Sequence, residues 1–168
     1  FRLTNDQRVA TWQILQDLAK PQAMWRLLQG DVGSGKTVVA AMAALAIAKH
    51  QRQVAVLAPT TILVQQHAAT FRSFLANEHI HIAVATADGW VIGTGNADPV
   101  PVEAATALEE AHIIIGTHAL ISDHVVIPRL SLVIVDEQQR FGVAQRHVLV
   151  EHRETTPHFL SMTATPIP

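Results

Sequence analysis

The sequence predicts an α/β domain with a mostly parallel sheet and helices on both faces. Three observations carry that reading. Short apolar runs such as Val54-Ala55-Val56-Leu57-Ala58 and Leu132-Val133-Ile134-Val135 are unbroken by polar residues, as strands covered on both faces are. Stretches of helical period alternate with them, the pattern of strands joined by helical crossovers. The segments that carry chemistry each follow a strand, where open α/β sheets bind ligands. These are Gly30–Thr37, Pro59-Thr60, Gly116-Thr117-His118, Asp136-Glu137 and Thr163–Thr165.

Leu3-Thr4-Asn5-Asp6-Gln7 opens the first helix, and Thr4 with Gln7 forms a capping box in which each side chain answers an end amide. Val9, Trp12, Leu15 and Leu18 follow at helical spacing and are expected to form its buried stripe, with Trp12 in the core. Lys20-Pro21 ends the helix. Met24 to Leu28 is a short strand that runs into Gly30-Asp31-Val32-Gly33-Ser34-Gly35-Lys36-Thr37. From there to His50 the chain is Ala-rich and apolar on all sides, so a buried helix close to the sheet is expected. Val54–Ala58 is the next strand, stopped by Pro59. A helix from about Ile62 to Ala76 carries Val64, His67, Phe71 and Phe74 on one stripe, with His67 as a packed core residue. His79 to Ala85 alternates like a strand. Ala87 to Pro101 reads as a loop, because Gly89, Gly93, Gly95, Asn96, Pro99 and Pro101 are breakers. Glu103 to Glu110 is a short helix, and His112–Ile115, Leu132–Val135 and His158–Ser161 are strands.

Composition narrows the function. A chain of 168 residues suits one domain, 1–168, which buries about two-thirds of the surface exposed by its unfolded chain. With 49% hydrophobic and 15% charged residues, general disorder is excluded. A formal charge of −2 gives no global positive field, so any nucleic-acid contact must come from local geometry. The absence of Cys excludes disulfides, thiolate metal sites and Cys nucleophiles, and fits a reducing, cytoplasmic setting. No apolar run approaches the roughly 18 residues of a membrane span, so no membrane partner is expected. The chain begins at Phe1 rather than Met, which suggests a processed product or an excised piece.

Gly30–Thr37 matches the pattern G-x-x-x-x-G-K-T, with a strand before it and a helix after it. The glycines let backbone N–H groups face phosphates, and the helix N-terminus adds partial positive charge. Lys36 reaches the outer phosphates, and Thr37 offers a hydroxyl to Mg2+. Without a ligand role, the segment is a glycine-rich turn with a surface lysine. Asp136-Glu137 directly follows an apolar strand. An acid there can hold Mg2+ opposite the loop, and its neighbour can take a proton from attacking water. The plain structural role of such a pair is to cap the following helix. Together the two motifs point to ATP and Mg2+.

In this order the motifs resemble the RecG-like DNA translocases of helicase superfamily 2. Gly30–Thr37 looks like that family's motif I, Ala58-Pro59-Thr60 with Gln66-His67 like motif Ia, and Gly116-Thr117-His118-Ala119-Leu120 like motif Ib. Asp136-Glu137-Gln138-Gln139-Arg140-Phe141-Gly142-Val143 resembles motif II, with Gln139 where the family usually has His. Met162-Thr163-Ala164-Thr165-Pro166-Ile167-Pro168 resembles motif III. Mfd-like translocases fit less well, since they usually carry Phe near Ser34, Glu near Gln138 and Lys near Ala119.

The resemblance implies a RecA-like P-loop NTPase fold. It also implies the first of two motor lobes of an ATP-dependent DNA helicase acting on branched DNA, in recombination and replication-fork repair. Gly33, Ser34, Gly35, Lys36 and Thr37 would bind the nucleotide, and Gln7 would read the adenine edge in competition with its capping box. Lys36, Asp136 and Glu137 would be catalytic, with Thr37 and Asp136 holding Mg2+ and Glu137 polarising the hydrolytic water. Pro59, Thr60, Gly116, Thr117 and His118 would touch the DNA backbone. Gln139, Thr163 and Thr165 would couple nucleotide state to those contacts. The implied partners are DNA and a second RecA-like lobe. That lobe and a wedge domain are expected to lie outside this chain.

Two departures from the family pattern matter. The chain stops just after motif III, so it is expected to bind nucleotide but turn it over poorly. An arginine finger from a second lobe is worth roughly 10³–10⁵ in related systems. No Lys or Arg lies between Arg72 and Arg129, so DNA binding by the lobe alone is expected to be weak and carried by backbone amides. Two rival functions compete. A non-catalytic nucleotide switch is disfavoured by the intact Lys36, Thr37, Asp136 and Glu137. A small-molecule kinase would need substrate residues in place of Thr163-Ala164-Thr165. The ten His residues are scattered, so no structural metal is expected. Trp90 is expected to anchor its loop on the domain rather than stack on a base.

Overall fold

Helix α1 (Asn5–Leu18) leads into β1 (Trp25–Gln29), α2 (Lys36–Lys49), β2 (Gln53–Leu57), α3 (Thr61–Phe74) and β3 (His81–Thr86). Then come β4 (Gly89–Thr94), β5 (Val100–Val102), α4 (Ala104–Glu110), β6 (Ile113–Gly116), a 3-10 turn (His118–Ile121), β7 (Leu130–Asp136) and β8 (His158–Thr163). The computed structural model describes residues 2–136, 147 and 155–164. Its eight strands form one sheet in the order β1-β8-β7-β2-β6-β3-β4-β5. The run from β1 to β3 is parallel throughout, and β4 and β5 extend it as antiparallel strands.

The central strands are short and apolar because both faces are covered. On one face Val56, Ile115, Ile134 and Leu160 meet Ile14 of α1, Ala40 and Ala44 of α2, and Phe71 of α3. The small alanines let α2 lie close to the sheet, as its composition predicts. On the other face Leu57, Ile114 and Val135 meet Ala107 of α4 with Leu120 and Ile127. Gln53 is a fully buried polar exception. Its Nε2 donates to the Leu108 and Ala111 carbonyls at 2.7 and 2.8 Å, and its Oε1 accepts from Arg129 N–H at 2.8 Å. One amide thereby ties the end of α4 to the start of β7.

The structure corrects two expectations. The segment expected as a loop, 87–101, holds β4 and β5. Ala87-Asp88 is a two-residue turn between paired Thr86 and Gly89, and Trp90-Val91-Ile92 continues the ladder. Gly93 does not break the strand. A Cβ there would lie 3.2 Å from Pro99 Cα, so the glycine permits close approach. Pro101 is tolerated because β5 is an edge strand. Trp90 is half-buried on β4 and packs on the second core, the anchoring role expected of it.

The second correction concerns α1. Val9, Trp12 and Leu15 face outward, and Trp12 is 60% exposed. Thr11 and Ile14 are the buried residues, with Ala10 and Leu18 beside them. A helix turns about 100° per residue, so a strict i, i+3, i+6 series winds around the axis. The buried line instead alternates steps of four and three through Gln7, Thr11, Ile14 and Leu18.

Candidate active site

The carboxyl ends of β1, β8, β7, β2 and β6 stand side by side along one edge of the sheet. Each carries one of the polar segments: Gly30–Thr37, Thr163, Asp136, Pro59-Thr60 and Gly116–His118. Register fixes the row. Gln29 pairs with Thr163, Asp136 with Met162, and Leu57 with Gly116. Gly30 N–H donates to the Thr163 carbonyl at 3.2 Å, and Ala58 N–H to that of Gly116 at 3.0 Å.

The loop between β1 and α2 turns on two glycines in the left-handed region, Gly33 at φ 81° and Gly35 at φ 84°. Gly35 is the N-cap of α2, and no side chain caps that end. This is the arrangement in which first-turn amides meet an anion. A Cβ on Gly33 would have nothing within 4 Å, so the backbone there faces open space. Lys36 Nζ folds over the loop and donates to the carbonyls of Gly30 at 2.5 Å and Asp31 at 2.8 Å. Thr37 is half-buried in the first turn.

Gln7 connects α1 to this loop. Thr4 N–H donates to Gln7 Oε1 at 2.9 Å, and Gln7 N–H donates to Thr4 Oγ1 at 3.3 Å. The predicted capping box is therefore formed. Gln7 Nε2 also donates to the Ser34 carbonyl at 2.9 Å. A primary amide has two N–H groups and two oxygen lone pairs. These contacts use one of each, so capping leaves one donor and one acceptor for an adenine edge.

Asp136 ends β7, and its side chain is 18% exposed. Its Oδ2 lies 2.7 Å from His67 Nε2 on α3. An ionised carboxylate only accepts, so the imidazole Nε2–H donates. His67 is buried as expected, but its ring does more than fill space: it holds Asp136. A loop of glycine amides with a lysine suits a polyphosphate, and the oxygen donors of Thr37 and Asp136 suit Mg2+.

Farther along the row, Thr60 is the exposed N-cap of α3, with Oγ1 accepting from Leu63 N–H at 3.3 Å. Pro59, Thr117 and His118 are half-buried beside it. Gly116 is buried, and a Cβ there would approach Leu120 Cδ1 to 2.7 Å, so the glycine admits the 3-10 turn against the strand. Thr163 is buried. Glu137, Gln139 and Thr165 lie outside the described residues.

Two histidines at the opposite, amino-terminal edge are structural. His158 Nδ1 accepts from Met24 N–H at 2.9 Å, and His112 Nδ1 from His81 N–H at 3.1 Å. Burial lowers both pKa values, with His81 and Arg129 adding to the effect at His112 and Asp17 opposing it at His158. Among the described residues, no group of three His, Cys, Asp or Glu is placed to hold a metal, and no helix is long and apolar enough to cross a membrane.

Residues 4–168 match the family model of the DEAD/DEAH box helicases. Over its whole length the chain is 46% identical to the ATP-dependent DNA helicase RecG of Pasteurella multocida (strain Pm70), covering 24% of that protein. It is 44% identical to RecG of Aquifex aeolicus (strain VF5), covering 21%. The chain thus spans less than a quarter of the length of these relatives. All of it superposes on 22% of the RecG chain from a structure of RecG bound to a three-way DNA junction, with TM-score 0.80 and 36% identity. The UvsW helicase from bacteriophage T4 shares the fold at TM-score 0.69 and 13% identity, over 96% of this chain and 52% of that one.

Proposed function

The chain belongs to the DEAD/DEAH box helicase family, and from that premise we propose that it is the ATP-binding first motor lobe of an ATP-dependent DNA helicase acting on branched DNA. One observation supports this reading above the others: the phosphate loop follows β1, Thr163 ends the adjacent β8 and Asp136 ends β7 beside it, and Pro59-Thr60 and Gly116–His118 continue the same row. A nucleotide and a DNA backbone along that edge would be read by parts of one rigid sheet.

The roles follow from residue chemistry. The amides of Gly33, Ser34, Gly35 and Thr37 surround the phosphates, and Lys36 moves its ammonium from two loop carbonyls to the outer phosphate oxygens. Gln7 presents its remaining donor and acceptor to adenine. Thr37 and Asp136 hold Mg2+, which supplies charge neutralisation when bound. Glu137 polarises the attacking water. Pro59, Thr60, Thr117 and His118, with the backbone at Gly116, meet DNA phosphates. Gln139, Thr163 and Thr165 relay nucleotide state to them.

RecG relatives are more than four times longer than this chain. A second RecA-like lobe supplying an arginine, and a wedge domain, are accordingly part of the proposal, with work at recombination intermediates and stalled forks in the cytoplasm. The lobe alone would turn ATP over poorly. The test compares the intact protein with Lys36→Ala on a three-way DNA junction and on linear duplex. The expected result is junction-stimulated ATP turnover and strand separation, both lost in the variant by at least about 100-fold. Nucleotide binding without turnover by the intact protein, on any DNA, refutes the motor and favours a switch module.

A further inference from the structure

Helix α3 spans from the Pro59-Thr60 segment to the metal-side carboxylate, and a single contact completes the span. Thr60 caps the helix, and about two turns later His67 Nε2 donates to Asp136 Oδ2 at 2.7 Å. His67 is 7% exposed. Apolar packing does not account for an imidazole there, because Val64, Ala68 and Phe71 already supply that face of α3. A buried polar ring persists where its hydrogen bond is made.

The bond occupies one carboxylate oxygen and leaves Oδ1 for a metal or its water shell. It also fixes the rotation of the carboxylate about its own axis. The ring rides on a helix whose first turn follows directly from Pro59-Thr60. A shift of that segment that carried α3 with it would move His67 and, through the bond, turn Asp136. Ala58, just before it, donates its N–H to the Gly116 carbonyl at 3.0 Å, so the Pro59-Thr60 and Gly116–His118 segments are joined at the start of the helix.

We propose that His67 is a positioning residue that orients Asp136 toward Mg2+ and makes α3 the mechanical link between the DNA-facing segments and the metal site. The proposal rests on the reading of Asp136 as a metal holder and of Pro59-Thr60 as a DNA contact.

The test uses the intact protein with His67→Leu, which removes the donor at similar volume, and His67→Gln, which keeps an N–H at similar reach. Mg2+ is titrated against a fluorescent ATP analogue to read the metal midpoint. The same analogue in EDTA reads metal-free affinity. His67→Leu is expected to raise the midpoint about tenfold, within the range for lost outer partners of a metal ligand, and to leave EDTA affinity unchanged within about twofold. The ratio of ATP turnover with and without DNA, at saturating Mg2+, is expected to fall in the same variant. His67→Gln is expected to restore both.

An unchanged midpoint in folded His67→Leu, or equal losses with and without Mg2+, overturns the proposal. If His67→Leu does not fold, the ring nitrogen resonances of wild-type His67 decide. Adding Mg2+ to the nucleotide complex shifts Nε2 if the ring shares Asp136 with the metal, and no shift overturns the proposal. A wild type whose nucleotide affinity ignores Mg2+ refutes the metal reading of Asp136 itself, which is a different failure from a silent His67.

Discussion

Gly33 and Gly35 share nearly the same left-handed φ, 81° and 84°, but a Cβ would meet open space at Gly33 and the Gln7 amide at Gly35. Alanine at either site therefore carries the same backbone strain, about 1–2 kcal/mol. Alanine at 35 must also expel Gln7, breaking its bond to Ser34 and disturbing the capping box. Loss of a cap and loss of a hydrogen bond are each worth about 1 kcal/mol. Gly33→Ala should thus cost about 1–2 kcal/mol and Gly35→Ala about 3–4 kcal/mol. In a Gln7→Ala background the two should become equal, leaving a coupling of about 2 kcal/mol between positions 7 and 35. Urea denaturation of the chain followed by far-UV circular dichroism measures all four. Equal costs for the two glycines in the wild-type background, with no coupling to Gln7, would refute the account of how α1 is joined to the loop.

Three further outcomes follow from burial and hydrogen bonding. Trp12→Gln should change stability by less than about 0.5 kcal/mol, because the ring faces solvent, whereas Ile14→Ala should cost about 2–5 kcal/mol in the same denaturation assay. Gln53→Met should cost about 3–5 kcal/mol, since it orphans the Leu108 and Ala111 carbonyls and the Arg129 amide together. The melting temperature should be level above pH 6.5 and fall as pH drops below it. His112 and His158 sit below their ordinary 6.5, so in that window the unfolded chain takes protons that the folded one refuses. Protonation also removes the Nδ1 acceptors of His81 and Met24 N–H. A melting temperature that rises on acidification would contradict both assignments.

The strand-end motifs are legible in the sequence because their chemistry needs fixed residue types at fixed local spacing. Gly30–Thr37 and Asp136 could be placed without knowing the sheet order, and the sheet order then brings them together. The capping box of Thr4 and Gln7 is legible for the same local reason. What escapes is set by packing between distant segments. His67 and Asp136 lie 69 positions apart, and a histidine on an apolar stripe gives no sign of the carboxylate it will meet. The bond from Gln7 to Ser34 is likewise invisible, although either residue alone invites attention. The outward turn of Trp12 follows from helix geometry, which a count of apolar residues three apart ignores. Strands β4 and β5 are masked by glycines that serve close approach rather than chain breaking, as the contact between Gly93 and Pro99 shows.

The proposed function has the edge formed by β1, β8 and β7 bind a nucleoside triphosphate through Lys36. It is tested most directly by titrating a fluorescent ATP analogue with Mg2+ into this chain and into Lys36→Ala, with folding checked by circular dichroism. Saturable binding by the wild type, weakened at least tenfold in the variant, is the predicted result; a loss of that size corresponds to about 1.4 kcal/mol. Equal binding by the two folded proteins would contradict the claim, because the ammonium held over Gly30 and Asp31 would then contribute nothing to the phosphates.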